Sequence, residues 1–214
     1  MKKVLCLCIA FLLCFMTVGY AAEEATSTDA AVEIQDLFGK EENGAYENEF
    51  LGLGFNMEGW RGYNENEELL AAQIGKAVVP DDVSKQLEES GIIPIAEFKA
   101  EDGSGNFNIN ANNLGDTASI INAVGLDYML DSFKDLYKTE LSKLAVENLE
   151  LETAVTKIGD QEFPGLKASY DMLKIHMFMR QFMFIRGTYL VTVTITTIDE
   201  AETEKIAQRF YLLK

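Results

Sequence analysis

The chain has 214 residues, 48% of them apolar and 25% charged, which suits one globular domain with its own core. Its 35 acidic residues against 18 Lys and Arg give a net charge of -17. Such a surface repels phosphate backbones and anionic headgroups. This sets nucleic acid aside and leaves a cation, a basic protein or a neutral ligand as partner.

Lys2 and Lys3 precede an uncharged apolar run over residues 4–18, and small residues around Gly19, Ala21 and Ala22 lead into Glu23 and Glu24. This is the pattern of a secretory signal peptide over residues 1–22. An uncleaved anchor is the alternative, because the run nears the ~20 residues that cross a bilayer. Cleavage predicts a secreted, extracytoplasmic protein with no membrane span and a net charge of -19, since Lys2 and Lys3 leave with the leader. Cys6, Cys8 and Cys14 lie in the leader, so the mature chain is expected to have no disulfide and no cysteine nucleophile. Residues 23–43 read as a flexible acidic linker, and residues 44–214 as one domain.

That domain opens with Leu51, Leu53 and Phe55 alternating with Gly52, Gly54 and Asn56, a first hairpin or strand pair whose glycines leave room for a packed helix. Asn64 or Asn66 can cap a helix carrying Leu70, Ile74, Ala77 and Val78, and Pro80 starts a second helix that ends near Gly91. Residues 92–99 and 106–111 form a hairpin in which Asn106, Asn108, Asn110 and Asn112 face away from Phe107, Ile109 and Ala111. Residues 126–144 step apolar positions by three and four, which predicts the longest helix.

Residues 146–158 alternate again and precede a long apolar, β-branched block over residues 165–198. One face of the block takes Leu173, Ile175, Met177, Met179, Gln181, Met183 and Ile185. The other takes Lys174, His176, Phe178, Arg180, Phe182, Phe184 and Arg186. Asp199 to Glu202 cap a final helix carrying Ile206, Ala207 and Phe210.

The strand that closes on Leu51-Gly52-Leu53-Gly54-Phe55-Asn56-Met57-Glu58-Gly59-Trp60, the helical insert, the phenylalanine-rich strand, the turn at Gly187 and the closing helix together resemble the PsbP/Mog-like family. The resemblance spans residues 46–212 and is nearest to small secreted bacterial members. It implies an α+β fold with an antiparallel β-sheet flanked by helices on both sides, an α/β/α sandwich. Members of the family act by binding, to a small GTPase in one branch and to the lumenal face of the oxygen-evolving photosystem in another. No functional motif of either is present here, and no residue role is carried over.

Candidate sites are few. His176 is alone in the sequence, cannot build a multi-histidine metal site, and reads as structural. No serine lies in a Gly-x-Ser-x-Gly elbow. Asp102, Ser104 and Asn106 place oxygens at calcium-loop spacing, but Phe107 and Asn113 break the loop pattern, so a hairpin turn is preferred to a weak calcium site. The methionines of the block read as core filler rather than a groove. Two sets of residues stand out as candidate binding groups: Trp60, Arg61 and Tyr63 in a post-strand loop, and the cationic strip of Lys174, Arg180 and Arg186. For each, core packing or pairing with surface acids is the competing account.

The sequence is thus expected to encode a monomeric, secreted, non-enzymatic binding or accessory domain at the cell envelope. Its partner would be a protein or a small ligand, and no cofactor is expected. The rivals are an extracellular hydrolase or a calcium-dependent protein using carboxylates only, and a purely structural surface protein.

Overall fold

The computed structural model describes residues 37–68, 91–141 and 146–214. The expected leader, most of the expected linker, the first of the two helices expected between residues 64 and 91 (beyond residue 68) and all of the second lie outside the described residues. Eleven strands and three helices are described. They run as β1 (Lys40–Glu42), β2 (Ala45–Asn48), β3 (Leu53–Asn56), β4 (Trp60–Gly62), β5 (Ile92–Ala100), β6 (Gly105–Asn113), α1 (Thr117–Val124), α2 (Leu126–Leu141), β7 (Val146–Ile158), β8 (Gln161–Met172), β9 (Ile175–Arg186), β10 (Tyr189–Thr197), α3 (Glu200–Ala207) and β11 (Phe210–Leu212). Strand β1 falls inside the segment read as linker.

The strands form two antiparallel sheets, a seven-stranded one in the order β4-β5-β6-β10-β9-β8-β7 and a four-stranded one in the order β1-β2-β3-β11. This corrects the expected single sheet flanked by helices on both sides. On one face of the large sheet the covering layer is mostly the small sheet, with the two-turn helix α3 beside it. Phe55, Trp60, Phe107, Phe182 and Phe210 meet there, with ring centroids 4.2 Å apart for Phe55–Phe107 and 5.4 Å for Phe182–Phe210. The opposite face carries α2, whose Leu130, Tyr137 and Leu141 pack on Leu166, Ala168, Tyr170, Met172, Met177, Met179 and Met183.

The physical reason for the correction lies in the pattern itself. Alternation shows that a strand face is apolar, but a second sheet satisfies that face as well as a helix does. Phe210, expected on the last helix, belongs to β11, opposite Phe55. The room left by Gly54 is filled by the ring of Tyr211 from that strand rather than by a helix. A Cβ at Gly54 would lie 2.4 Å from the ring.

The long block folds because both of its faces are covered. Every residue of β10 is buried, as a near-continuous apolar and β-branched strand in the middle of a layered sheet must be. The break between β8 and β9, which no Gly or Pro marks, falls at Leu173 and Lys174. Both residues have positive φ, 51° and 65°, the pair of conformations that a two-residue hairpin turn requires. Lys174 therefore lies in a turn, off the strand face on which the sequence placed it.

Candidate functional site

The α2-side face of the large sheet has two chemically different halves. From β5, β6 and β10 it presents Lys99, Asn106, Asn108, Asn110, Asn112, Thr192, Thr194 and Thr196, all buried. Strand register sets them in rows. Asn110 faces Thr192, Asn108 faces Thr194 and Asn106 faces Thr196, while on the other side of β6 Asn108 faces Glu97 and Asn106 faces Lys99. Gln181 of β9 closes the middle row opposite Thr194. It is fully buried, and its Nε2 donates to Tyr137 Oη at 2.6 Å and to Thr194 Oγ1 at 2.9 Å.

Burying amides and hydroxyls is costly unless they are hydrogen-bonded. The layer is only partly satisfied from within. Asn110 Nδ2 donates to Asn108 Oδ1 at 3.1 Å, whereas Asn108 Nδ2, Gln181 Oε1, Thr192 Oγ1 and Thr196 Oγ1 are buried with no hydrogen-bond partner among the described residues. Each such atom costs on the order of 1–3 kcal/mol. Four of them lie on one surface.

One rim of the layer is charged. Arg61 makes a bidentate pair with Glu67, both contacts at 2.8 Å, and Lys99 Nζ reaches the same carboxylate. Arg61 Nη1 also donates to Gly62 O at 3.0 Å. Asn64 and Glu67 cap each other reciprocally, Asn64 Oδ1 accepting from the Glu67 amide and Glu67 Oε2 from the Asn64 amide. The Arg61 guanidinium, with Lys99 beside it, holds the Glu67 carboxyl down at about 2. Glu97 stands in contrast. Burial, and secondarily the Glu68 charge, push its carboxyl up to about 7. The ion pairs run from buried Lys99 to half-exposed Arg61, so this rim is where the layer meets solvent.

The residues singled out from sequence are dispersed. Arg61 lies at the rim, and Tyr63 is close by, its ring 5.7 Å from Lys99 Nζ. Trp60 turns to the opposite face, buried against Phe55 and Phe107, with Arg209 over its ring at 5.8 Å. Arg180 is buried on that same opposite face. It pairs with Glu204 of α3 and donates to Val155 O at 3.3 Å. Arg186 sits at the far end of β9, where its Nε donates to Phe50 O at 2.6 Å. With Lys174 in the turn, the three cations form no continuous strip.

His176, expected to be structural, is exposed at the β8–β9 hairpin, with Nδ1 2.6 Å from Asp171 Oδ1. Met172, Met177, Met179 and Met183 are buried under α2. Asp102 closes its hairpin by accepting from the Ser104 amide at 2.8 Å. Among the described residues no three Asp, Glu, His or Cys side chains converge on a metal position, and no helix is long and apolar enough to cross a membrane.

The four asparagines are legible in the sequence as a series, but the layer they join is not. The signal was the coincidence of two period-2 polar series, Asn106 to Asn112 and Thr192 to Thr196, on strands apolar enough to be central.

No family model and no curated protein matches the sequence. Among solved structures the chain is similar to PA94 from Pseudomonas aeruginosa, a protein of unknown function. The identity is 17% and the TM-score 0.30, over 44% of this chain and 58% of that one. The match thus spans less than two thirds of that protein's chain.

Proposed function

We propose that this chain is a secreted, non-enzymatic binding or accessory domain acting at the cell envelope, and that its ligand groups are those of the asparagine–threonine layer. One observation carries the reading: a buried surface of amides and hydroxyls, charged only along the β5 rim, in which Asn108 Nδ2, Gln181 Oε1, Thr192 Oγ1 and Thr196 Oγ1 lack partners among the described residues. Amides and hydroxyls donate and accept hydrogen bonds without titrating near neutral pH. They can hold a neutral ligand rich in hydroxyl or amide groups, and a threonine hydroxyl becomes a nucleophile only where a base lies beside it. The leader-like N-terminus supports the location at the envelope.

Calorimetry of the purified protein against a panel of neutral saccharides and small amides tests it. The reading expects saturable binding that Thr192→Val/Thr196→Val abolishes while the folded near-ultraviolet signature is kept. A carboxylate-only hydrolase is the second reading, favoured by the raised Glu97 carboxyl. Turnover in a broad hydrolase screen, lost in Glu97→Gln, would establish it and overturn the first.

A further inference from the structure

Strand β7 is the last in the order of the large sheet, with β8 its neighbour. Alternate peptide groups along its other side therefore point away from the sheet. It is 13 residues long, which at ~3.3 Å per residue gives an edge of about 43 Å. Helix α2 packs over Leu149 and Leu151, but the same strand face continues to Thr153 and Val155, both exposed, with Val155 57% accessible. Between helix and strand edge lies a groove of about 270 Å³ lined by Asp127, Leu130, Asp131, Thr153, Ala154 and Val155. Buried Leu130 forms its floor.

The charge around this edge is predominantly acidic, with Lys157, near the end of the strand, as the one cation on β7. Glu147, Glu150 and Glu152 project from β7 itself, and Asp127 and Asp131 from the helix. Asp131 pairs with Lys134 at 3.0 Å, and Glu152 lies 3.9 Å from Lys167, which is closer to Glu200 at 2.5 Å. Asp127, Glu147 and Glu150 have no ion-pair partner among the described residues. A second identical edge would set glutamates against glutamates, and like charges across a strand pair are unfavourable. The register shift between Glu147 and Glu150, with Asn148 at φ 52°, further breaks the regular ladder at that end. Self-pairing is thus opposed over the first half of the strand, while residues 151–157 keep a regular register beside the acidic groove, Val155 O being the one backbone group there that, among the described residues, accepts from a side chain, Arg180 Nη1 at 3.3 Å.

We propose that this edge of β7, over residues 151–157, docks an extended Lys- or Arg-bearing segment of a partner protein by strand addition. An apolar side chain of the segment would sit on Leu130 and Val155, with its cations facing Asp127 and Asp131. Backbone hydrogen bonds supply the attachment and the groove supplies the preference for a basic, alternating sequence. This surface is separate from the polar layer and stands or falls independently of it.

The probe is the peptide acetyl-Lys-Val-Lys-Val-Lys-Val-Lys-amide, with its Glu-for-Lys counterpart as control. Binding is read by fluorescence anisotropy and by amide hydrogen exchange on the full protein. The Lys peptide is expected to bind, to weaken as salt rises, and to slow exchange at outward-facing amides of residues 151–157. Asp127→Lys/Asp131→Lys, two helix-surface changes that leave the unfolding midpoint near that of the parent, should weaken it by about tenfold or more. No binding by the Lys peptide, equal binding by the Glu peptide, protection elsewhere in the chain, or indifference to the double substitution would overturn the proposal. So would concentration-dependent protection of β7 without peptide, which would mean that a second copy occupies the edge.

Discussion

Under α2, the strands β8 and β9 offer Leu166, Ala168, Tyr170, Met177, Met179 and Met183. On the same sheet face, β6 and β10 offer Asn106, Asn108, Asn110, Thr192, Thr194 and Thr196. Met183 and Thr192 are direct cross-strand partners and equally buried, yet one is held by packing and the other has a hydroxyl with no partner among the described residues. The difference teaches that burial alone does not identify what stabilises a protein. The methionine half gains from every apolar contact, whereas the asparagine–threonine half has the desolvation cost of polar groups and only part of the compensating hydrogen bonds. Natural proteins keep such a surface where function requires it and lose stability by doing so.

The contrast can be tested at single residues. Met183→Ala should cost about 3 kcal/mol in urea unfolding, the usual penalty for a cavity in a packed core. A loss under about 1 kcal/mol would mean that the methionine half is no better packed than the polar half.

Glu97, at the edge of the polar half, gives the next largest effect. Its folded carboxyl is near 7 against an ordinary 4.5. The folded state therefore holds a proton that the unfolded chain releases, and stability falls as pH rises through this window. Glu97→Gln should be more stable than the parent by about 3 kcal/mol at pH 8, with the difference vanishing below about pH 4. A pH-independent difference would show that the carboxyl is not desolvated.

Arg61 at the solvent end of the rim should matter least. Arg61→Ala is expected to cost less than about 1 kcal/mol at neutral pH, because Lys99 still holds Glu67. Its signature lies at low pH. Glu67 is depressed to about 2, so its contribution is present above its unfolded value near 4.5 and is lost as pH falls toward 2. Without Arg61 that loss should begin at higher pH in acid titrations followed by circular dichroism.

Much of the architecture was legible in the residues. Period-2 alternation found β5, β6, β7 and β9, the three-four spacing found α2, and Asp199 caps α3 by accepting from the Ala201 amide at 2.9 Å. What covers each face was not legible, because Leu51 to Asn56 reads equally as a strand of the main sheet or of a second sheet packed on it. The β8–β9 turn escaped because Leu173 and Lys174 adopt positive φ without glycine. The site was half legible. Arg61 could be picked as a loop cation, but Glu67, Glu97 and Lys99 become one rim only once β5 lies beside β4. The asparagines stood out as a series whose burial no local pattern reveals.

The most direct test of the central claim, that the asparagine–threonine layer is retained for binding rather than for stability, is the unfolding free energy of Thr192→Val/Thr196→Val. These changes replace two partnerless buried hydroxyls by methyl groups. An increase of about 1–2 kcal/mol over the parent, at unchanged urea dependence, is the predicted result. A loss comparable to that of Met183→Ala would contradict the account and make the layer part of what holds the fold together.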